Sequence, residues 1–115
     1  MKNIEINENS PEAILHLACL MAAIDNEIHP NEVEMIKAIS IELGTNEELA
    51  TSLLDEVSKQ TNFEDLCLEA VNKITDTSLQ KKALNIVTKV STADDFVKEK
   101  EYLFMQMAID KWEIF

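Results

Sequence analysis

Hydrophobic residues along this 115-residue chain recur at spacings of three and four, which is typical of helices that bury one face. The first such run is preceded by Ser10 and Pro11, which suit the N-cap and the first position of a helix. We therefore predict a first helix from Pro11 to about Ile24. Its apolar positions are Ile14, Leu17, Ala18, Met21 and Ala22.

Five further runs with the same spacing follow, each with a recognisable start. The second helix is predicted to begin at Pro30 and to end before Gly44, because glycine enters the left-handed conformation of a helix end without steric cost. Thr45 and Thr61 each stand three residues before a glutamate, which is the form of a capping box. They predict the starts of the third and fourth helices. The fifth and sixth helices are predicted to start at Asp76, Thr77 or Ser78, and at about Glu99, respectively.

The composition agrees with a helical fold. The chain has one glycine and two prolines, whereas a β-sandwich or barrel needs turn residues every few positions. Hydrophobic residues make up 46% of the chain, enough for one core, and no linker-like segment divides it. The sequence therefore predicts an all-α fold, a single compact bundle of about six helices spanning residues 1–115.

The charge balance limits the partners that the chain can have. The 22 acidic residues outnumber the ten basic ones and leave a net charge of −12. Because such a chain repels phosphate groups, we expect no nucleic-acid partner, and metal cations or basic protein surfaces are favoured instead. No apolar run reaches the roughly 20 residues of a membrane span, and no signal-peptide pattern is present. We expect a cytoplasmic protein without direct membrane insertion.

The loop after the first helix has a counterpart near the end of the chain. Residues 23–32 align with residues 92–101 at an offset of 69, and the helices before the two loops match in kind. This duplication predicts an internal pseudo-two-fold repeat of helical hairpins. The matched pairs are Asp25 with Asp94, Ile28 with Val97, Glu32 with Glu101, Leu17 with Ile86, Ala18 with Val87, and Met21 with Val90.

The repeated carboxylates admit two interpretations, of which the first is helix capping. Glu32 and Glu101 fall near the third positions of their helices. There a carboxylate can accept a hydrogen bond from the N-cap backbone N–H, and it lies at the positive end of the helix dipole. Asp25 and Asp94 each follow a helix, where the dipole disfavours negative charge. A turn conformation would explain them only in part.

In the second interpretation, the acidic loops bind a hard divalent cation such as calcium, magnesium or manganese, all of which prefer oxygen ligands. Neither loop is an EF-hand, because the Asp-to-Glu spacing is too short and the mid-loop glycine is missing. The predicted metal ligands are Asp25, Glu32, Asp94 and Glu101, with Asn26, Glu27 and Asp95 as further oxygen donors.

The motif AIDNEI-x-x-x-E at residues 23–32, and ADD-x-V-x-x-x-E at residues 93–101, resemble the duplicated motif of TerB-like domains. These small helical domains are named for tellurite resistance and also occur in the N-terminal part of a membrane-anchored J-domain cochaperone. The resemblance covers residues 10 to 113. The chain departs from the family pattern in two ways: the usual glycine after the aspartate is Asn26 and Asp95, and the usual serine or threonine cap is His29 and Lys98.

The resemblance implies an all-α domain with pseudo-two-fold symmetry, an acidic patch for a divalent metal and no catalytic activity. It also implies a role in stress response at the cytoplasmic face of bacterial membranes. The chain would then be peripheral to the inner membrane through protein partners. The residues to which the family's metal site carries over are Asp25, Glu32, Asp94 and Glu101.

Two alternatives remain open at this stage. A protein–protein interaction or homo-oligomerisation domain, in which the loops only cap helices, would expose large apolar groups such as Trp112 and Phe115 near the end of the chain. His16 and Cys19, three residues apart on the first helix, could contribute to a zinc site with His29 and Cys67. We expect buried cysteines instead, because no metal-binding spacing links the four. No catalytic motif is present, so we expect no enzyme.

Overall fold

The described part of the chain forms six helices. The computed structural model describes residues 9–23, 30–91 and 99–112 and, within these ranges, all side chains except those of residues 64, 91, 99–102 and 104. No strand occurs in these ranges, so the prediction of an all-α bundle is confirmed. The helices are α1 (Pro11–Ala23), α2 (Pro30–Glu42), α3 (Glu47–Ser58), α4 (Phe63–Asn72), α5 (Thr77–Ser91) and α6 (Glu99–Trp112).

Helix α1 lies at the centre of the bundle and packs against each of the other five helices. Every residue from Ala13 to Ala23 except His16 is buried. The expectation of a single apolar face is therefore wrong for α1, since a helix that is hydrophobic all round is a core helix. Fully burying one large aliphatic side chain contributes about 1.5–3 kcal/mol. The side chains of this kind that are less than 2% exposed on α1 are Ile14, Leu15, Leu17, Leu20 and Met21.

Helix α2 ends as its sequence predicts. Gly44 has a φ of 80° and donates its N–H to the carbonyl of Ile41 at 3.0 Å. The N–H of Thr45 reaches back to the carbonyl of Ser40 at 2.9 Å, which completes a Schellman motif. The Thr45 hydroxyl donates to the same carbonyl at 2.6 Å. This turn sends the chain directly into α3.

The two predicted threonine caps are wrong by one residue. Because the Thr45 hydroxyl is used at the end of α2, the N-cap of α3 is Asn46, whose side chain accepts a hydrogen bond from the N–H of Leu49 at 2.8 Å. The N-cap of α4 is Asn62 rather than Thr61, and its side chain makes no capping bond. Of the three candidate caps of α5, Asp76 is confirmed, since its side chain accepts a hydrogen bond from the N–H of Leu79 at 3.2 Å.

Trp112, at the end of α6, belongs to the core. Its side chain is buried, and its indole N–H donates to the carbonyl of Val71, in the last turn of α4, at 3.0 Å. Burial of an indole requires such a partner for its N–H. Trp112 is therefore not an exposed contact for a partner protein, and it does not support the alternative of an interaction domain. Phe115 lies outside the described residues.

The surface formed by the end of α2 and by α3 carries exposed acidic residues. They are Glu42, Glu47, Glu48 and Asp55. Each helix in the described part of the chain is too short or too polar to cross a membrane.

The burial pattern follows the 69-residue offset of the sequence repeat. Helices α2 and α6 begin 69 residues apart, at Pro30 and Glu99. The match is partial, since Cys19 and Leu20 are buried whereas their counterparts Thr88 and Lys89 are exposed. Six other positions are buried in both hairpins. These pairs are Ile14 with Ala83, Leu17 with Ile86, Ala18 with Val87, Met21 with Val90, Ile39 with Ala108, and Leu43 with Trp112. The pseudo-two-fold relation between the two hairpins stays a prediction.

The role of Trp112 can be tested by truncation. We expect Trp112→Ala to lower the free energy of unfolding by about 3–5 kcal/mol, because it empties a large core site. Trp112→Phe keeps most of the ring and loses the hydrogen bond to Val71, which should cost about 1 kcal/mol. The control is Leu103→Ala on the same helix, since Leu103 is 58% exposed. Urea unfolding followed by circular dichroism measures all three, and equal stability of Trp112→Ala and Leu103→Ala would contradict the assignment.

Candidate functional site

The two predicted acidic loops join packed helices. Residues 24–29, here named loop A, connect α1 to α2, and residues 92–98, named loop B, connect α5 to α6. The helices on either side of each loop pack against each other. Five of the predicted metal ligands lie in these loops, outside the described residues. They are Asp25, Asn26, Glu27, Asp94 and Asp95.

Glu32 is the predicted ligand that the structure places fully. It is the third residue of α2, and only 2% of its surface is exposed. Its neighbours Asn31 and Glu34 are both exposed. Of the two carboxylates near the start of α2, the helix therefore directs Glu32 into the protein and Glu34 into solvent. The sequence pattern indicated the helix position of Glu32 but not this depth of burial.

A buried carboxylate needs compensation for the water that it has lost. Glu32 is not unpaired, since it takes part in a hydrogen bond or another electrostatic interaction. It also lies in the first turn of α2, where unsatisfied backbone N–H groups and the helix dipole favour negative charge. This environment suits both interpretations from the sequence, because a capping carboxylate and a cation ligand occupy the same end of the helix.

Glu101 occupies the matching position on the other hairpin. It is the third residue of α6, as Glu32 is of α2. Its backbone is described and its side chain is not. The structure thus confirms the equivalent helix register of the two glutamates. The convergence of the predicted ligands on a cation site stays a prediction.

Two of the four residues considered for a zinc site, Cys19 and Cys67, lie in the core. Cys19 on α1 and Cys67 on α4 are both buried, and burial raises the pKa of the Cys19 thiol to about 12. A thiol that resists ionisation in this way is a poor metal ligand, since the thiolate is the form that binds. Among the described side chains, no group of three histidine, cysteine or acidic residues has the arrangement of a metal site. His29 lies outside them.

His16 is the one position in the middle of α1 that is half-buried rather than buried. Its Nδ1 atom is inaccessible to water and has no hydrogen-bond partner. Burial, and to a lesser extent the positive charge of Lys73, lowers the pKa of His16 from its ordinary value of 6.5 to about 4. His16 is therefore neutral in the folded protein near pH 7.

Sequence patterns missed a polar contact at the start of the described chain. Asn9, with a φ of 53°, donates its backbone N–H to the carbonyl of Lys73 at 2.9 Å. Its side-chain carbonyl accepts from the N–H groups of Thr75 at 2.8 Å and Asp76 at 2.9 Å. Its amide nitrogen donates to the Thr75 hydroxyl at 2.8 Å. We name these four bonds the Asn9 clasp. The tolerance of asparagine for positive φ was the available signal, but the partner is more than 60 residues away.

The contribution of the buried carboxylate can be measured directly. We expect Glu32→Gln to lower the free energy of unfolding by about 1–2 kcal/mol, because the neutral amide loses the charge-assisted part of its interactions at the helix end. Glu34→Gln, the exposed control on the same helix, should change it by less than about 0.5 kcal/mol. Urea unfolding at pH 7 with a chelator present gives both values without a metal contribution. Equal stabilities of the two variants would show that burial of Glu32 has no energetic weight.

Comparison with known proteins adds no relative. No protein-family model matches the chain, and no curated protein or solved structure shows significant similarity to it. The resemblance to TerB-like domains therefore rests on the duplicated motif alone.

Proposed function

We propose that this chain is a non-enzymatic, TerB-like binding module whose acidic loops A and B bind a divalent cation or a basic surface of a protein partner. The ligands are the carboxylates of Asp25, Glu32, Asp94 and Glu101. Following the family resemblance, the module acts in a stress response in the cytoplasm. It reaches the inner membrane only through protein partners.

The burial of Glu32 is the observation that carries this proposal. Residues 24–34 contain four acidic side chains and no lysine or arginine, so loop A and the first turn of α2 supply no cationic side chain of their own. One of the four, Glu32, is withdrawn from water in the first turn of α2. A divalent cation held by Glu32 and the loop carboxylates would offset both the desolvation of Glu32 and the repulsion between the acids.

The equivalent register of the second hairpin supports a paired site. Glu101 is the third residue of α6 as Glu32 is of α2, and the helices before both loops share four buried positions at the 69-residue offset. Loop B carries Asp94 and Asp95 but also Lys98, and Lys100 follows at the start of α6. These lysines offset part of the negative charge. We therefore assign the tighter site to loop A and the weaker one to loop B.

Calorimetric titration of the chelator-treated chain with calcium, magnesium and manganese tests the cation-binding form. We expect at least one of these ions to bind with measurable heat. The affinity should fall about tenfold or more in Asp25→Asn/Asp94→Asn, because two carboxylate ligands become neutral. The matched control is Glu47→Gln/Glu48→Gln, which removes the same charge from two exposed positions on α3.

Two results would contradict cation binding. One is the absence of heat with all three ions. The other is equal affinity of wild type and the loop variant, which would show that the loop aspartates do not contact the ion.

A second candidate function is that of an interaction or dimerisation domain in which the loops only cap helices. The observation that favours it is the exposure of large apolar side chains on α2 and α6. Ile41 on α2 is 61% exposed, and Leu103 on α6 is 58% exposed. Trp112, by contrast, is committed to the core and does not support this candidate.

Sedimentation separates the two candidates. The dimerisation form predicts a mass above the monomer value of 13.0 kDa at tens of micromolar. It also predicts that Leu103→Lys, which places a charge on the exposed apolar position, returns the mass to the monomer value. Ser52→Lys, at an exposed polar position on α3, is the control. A wild-type mass of 13.0 kDa throughout would contradict self-association.

A further inference from the structure

The ring of helices around α1 is open on one side. Helix α3 packs against α2, α2 against α5, α5 against α6, and α6 against α4. Helices α3 and α4 both pack against α1 but not against each other, although only residues 59–62 separate them in the chain. We name the space between these two helices, over α1, the α3–α4 opening. In the described part of the chain it is the one break in the ring.

His16 lies on the floor of the α3–α4 opening. Between Ala13 and Ala23 it is the only position of α1 that is not fully buried. A partly exposed position on a helix that is otherwise covered faces the break in its cover. Glu12, one turn earlier on the same side of α1, is also half-buried, whereas Leu20, one turn later, is buried completely. The opening is therefore widest over the first half of α1.

The last turn of α4 borders this wide end. The carbonyl of Lys73 accepts the backbone N–H of Asn9 at 2.9 Å, so the end of α4 lies beside the start of α1. Burial, and then the charge of Lys73, lowers the pKa of His16 to about 4, which also places the lysine near the floor. Lys73 is half-buried, and no described acid forms an ion pair with it. The wide end thus carries an unpaired cation.

The same side of α4 also presents an apolar group. Leu66 lies seven residues, or two helical turns, before Lys73 and therefore on the same side of the helix. It is half-buried and packs against the core. Along the axis of α4, the two residues are about 10 Å apart. The α4 wall of the opening consequently offers a cation at the wide end and an apolar surface further in.

Residues 1–8 precede Asn9 and lie outside the described residues. Because Asn9 is bound to Lys73, the chain before it leaves from the wide end of the opening. Fully extended, eight residues reach at most about 26–29 Å. Helix α4, with ten residues, is only about 15 Å long. Residues 1–8 are therefore long enough to follow the whole opening.

The sequence of this segment, MKNIEINE, matches the α4 wall in type and in spacing. In an extended chain, alternate residues share one side, so Ile4, Ile6 and Glu8 lie together. Glu8 is next to Asn9 and thus near Lys73. Counted from Glu8, Ile6 is about 7 Å and Ile4 about 13 Å along an extended chain, which brackets the distance from Lys73 to Leu66.

We propose that residues 1–8 bind in the α3–α4 opening as an extended segment and complete the cover of α1. Ile4 and Ile6 contact Leu66 and the floor, and the carboxylate of Glu8 pairs with Lys73. This docking is independent of cation binding by the loops.

The segment of the same molecule is favoured over that of a second copy. Its attachment at Asn9 holds it next to the opening at a high effective concentration. A second molecule would instead have to approach against the repulsion between two chains of net charge −12.

Paramagnetic broadening in NMR spectra of the full chain tests the docking. A nitroxide label on Glu5→Cys lies on the side of the segment opposite to Ile4 and Ile6. Cys19 and Cys67 are buried, so the label attaches to position 5 alone. With a chelator present, we expect the amide signals of His16 and Leu66 to lose most of their intensity. The control is the amide of Asn85 on α5, a helix that packs against neither α3 nor α4, and it should keep its intensity. Unaffected signals of His16 and Leu66, or an equal loss at Asn85, would overturn the proposal.

Two paired variants, both carrying the same label, test the apolar side of the segment. Ile4→Ser/Ile6→Ser should restore the signals of His16 and Leu66, because the contacts that hold the segment are removed. Asn3→Ser/Asn7→Ser changes two polar positions on the opposite side and should leave the broadening as it is. Circular dichroism should show the same helix content in both. Broadening that persists in the isoleucine variant would show that the segment does not dock through these residues.

A mixing experiment identifies the molecule that supplies the segment. Spin-labelled Glu5→Cys without ¹⁵N is mixed with unlabelled ¹⁵N wild type. Docking within one molecule predicts full intensity of His16 and Leu66 in the ¹⁵N spectrum. A loss of intensity there would show that the segment of a second copy enters the opening, and the proposal would be wrong.

Discussion

The burial of α1 on all sides is the constraint on which the rest of the structure depends. Ten of its residues are removed from water, and each of the other helices packs against it. A helix with no solvent-facing stripe cannot be stable at the surface, so the remaining five helices must surround it. Their own apolar stripes are narrower and leave polar faces for the surface. The exposed acids around α3 and the lysines of α5 lie on these faces.

The central position of α1 also means that a polar group on this helix loses contact with water, which costs free energy. His16 is the one interruption in the apolar surface of α1, and burial keeps it neutral with an unpartnered Nδ1. Glu32 is buried in the first turn of α2, at the end of the helix where the dipole favours a carboxylate, and it takes part in an interaction within the protein.

The two acidic loops occupy equivalent positions in the sequence repeat. Each loop joins two helices that pack on each other, and matched apolar positions anchor the helices on both sides. Glu32 and Glu101 hold the same position in the helices that follow. The helix dipole favours a carboxylate at this position. The aspartates at the other end of each loop gain nothing from a helix dipole, and cation binding is the proposed function that would use them.

Local sequence signals determined the six helices of this protein. Proline at Pro11 and Pro30, the glycine at Gly44 and the Asp76 cap act within one helical turn, and spacing of apolar residues needs no distant partner. Competition between neighbours decided the cap at Asn46, because the Thr45 hydroxyl already donates to the carbonyl of Ser40 at the end of α2. Only the tertiary structure decided which helix is central, how deeply Glu32 is buried, and that Asn9 contacts a segment more than 60 residues away. Burial and long-range hydrogen bonds depend on which surfaces meet, and periodicity in a single chain does not encode that choice.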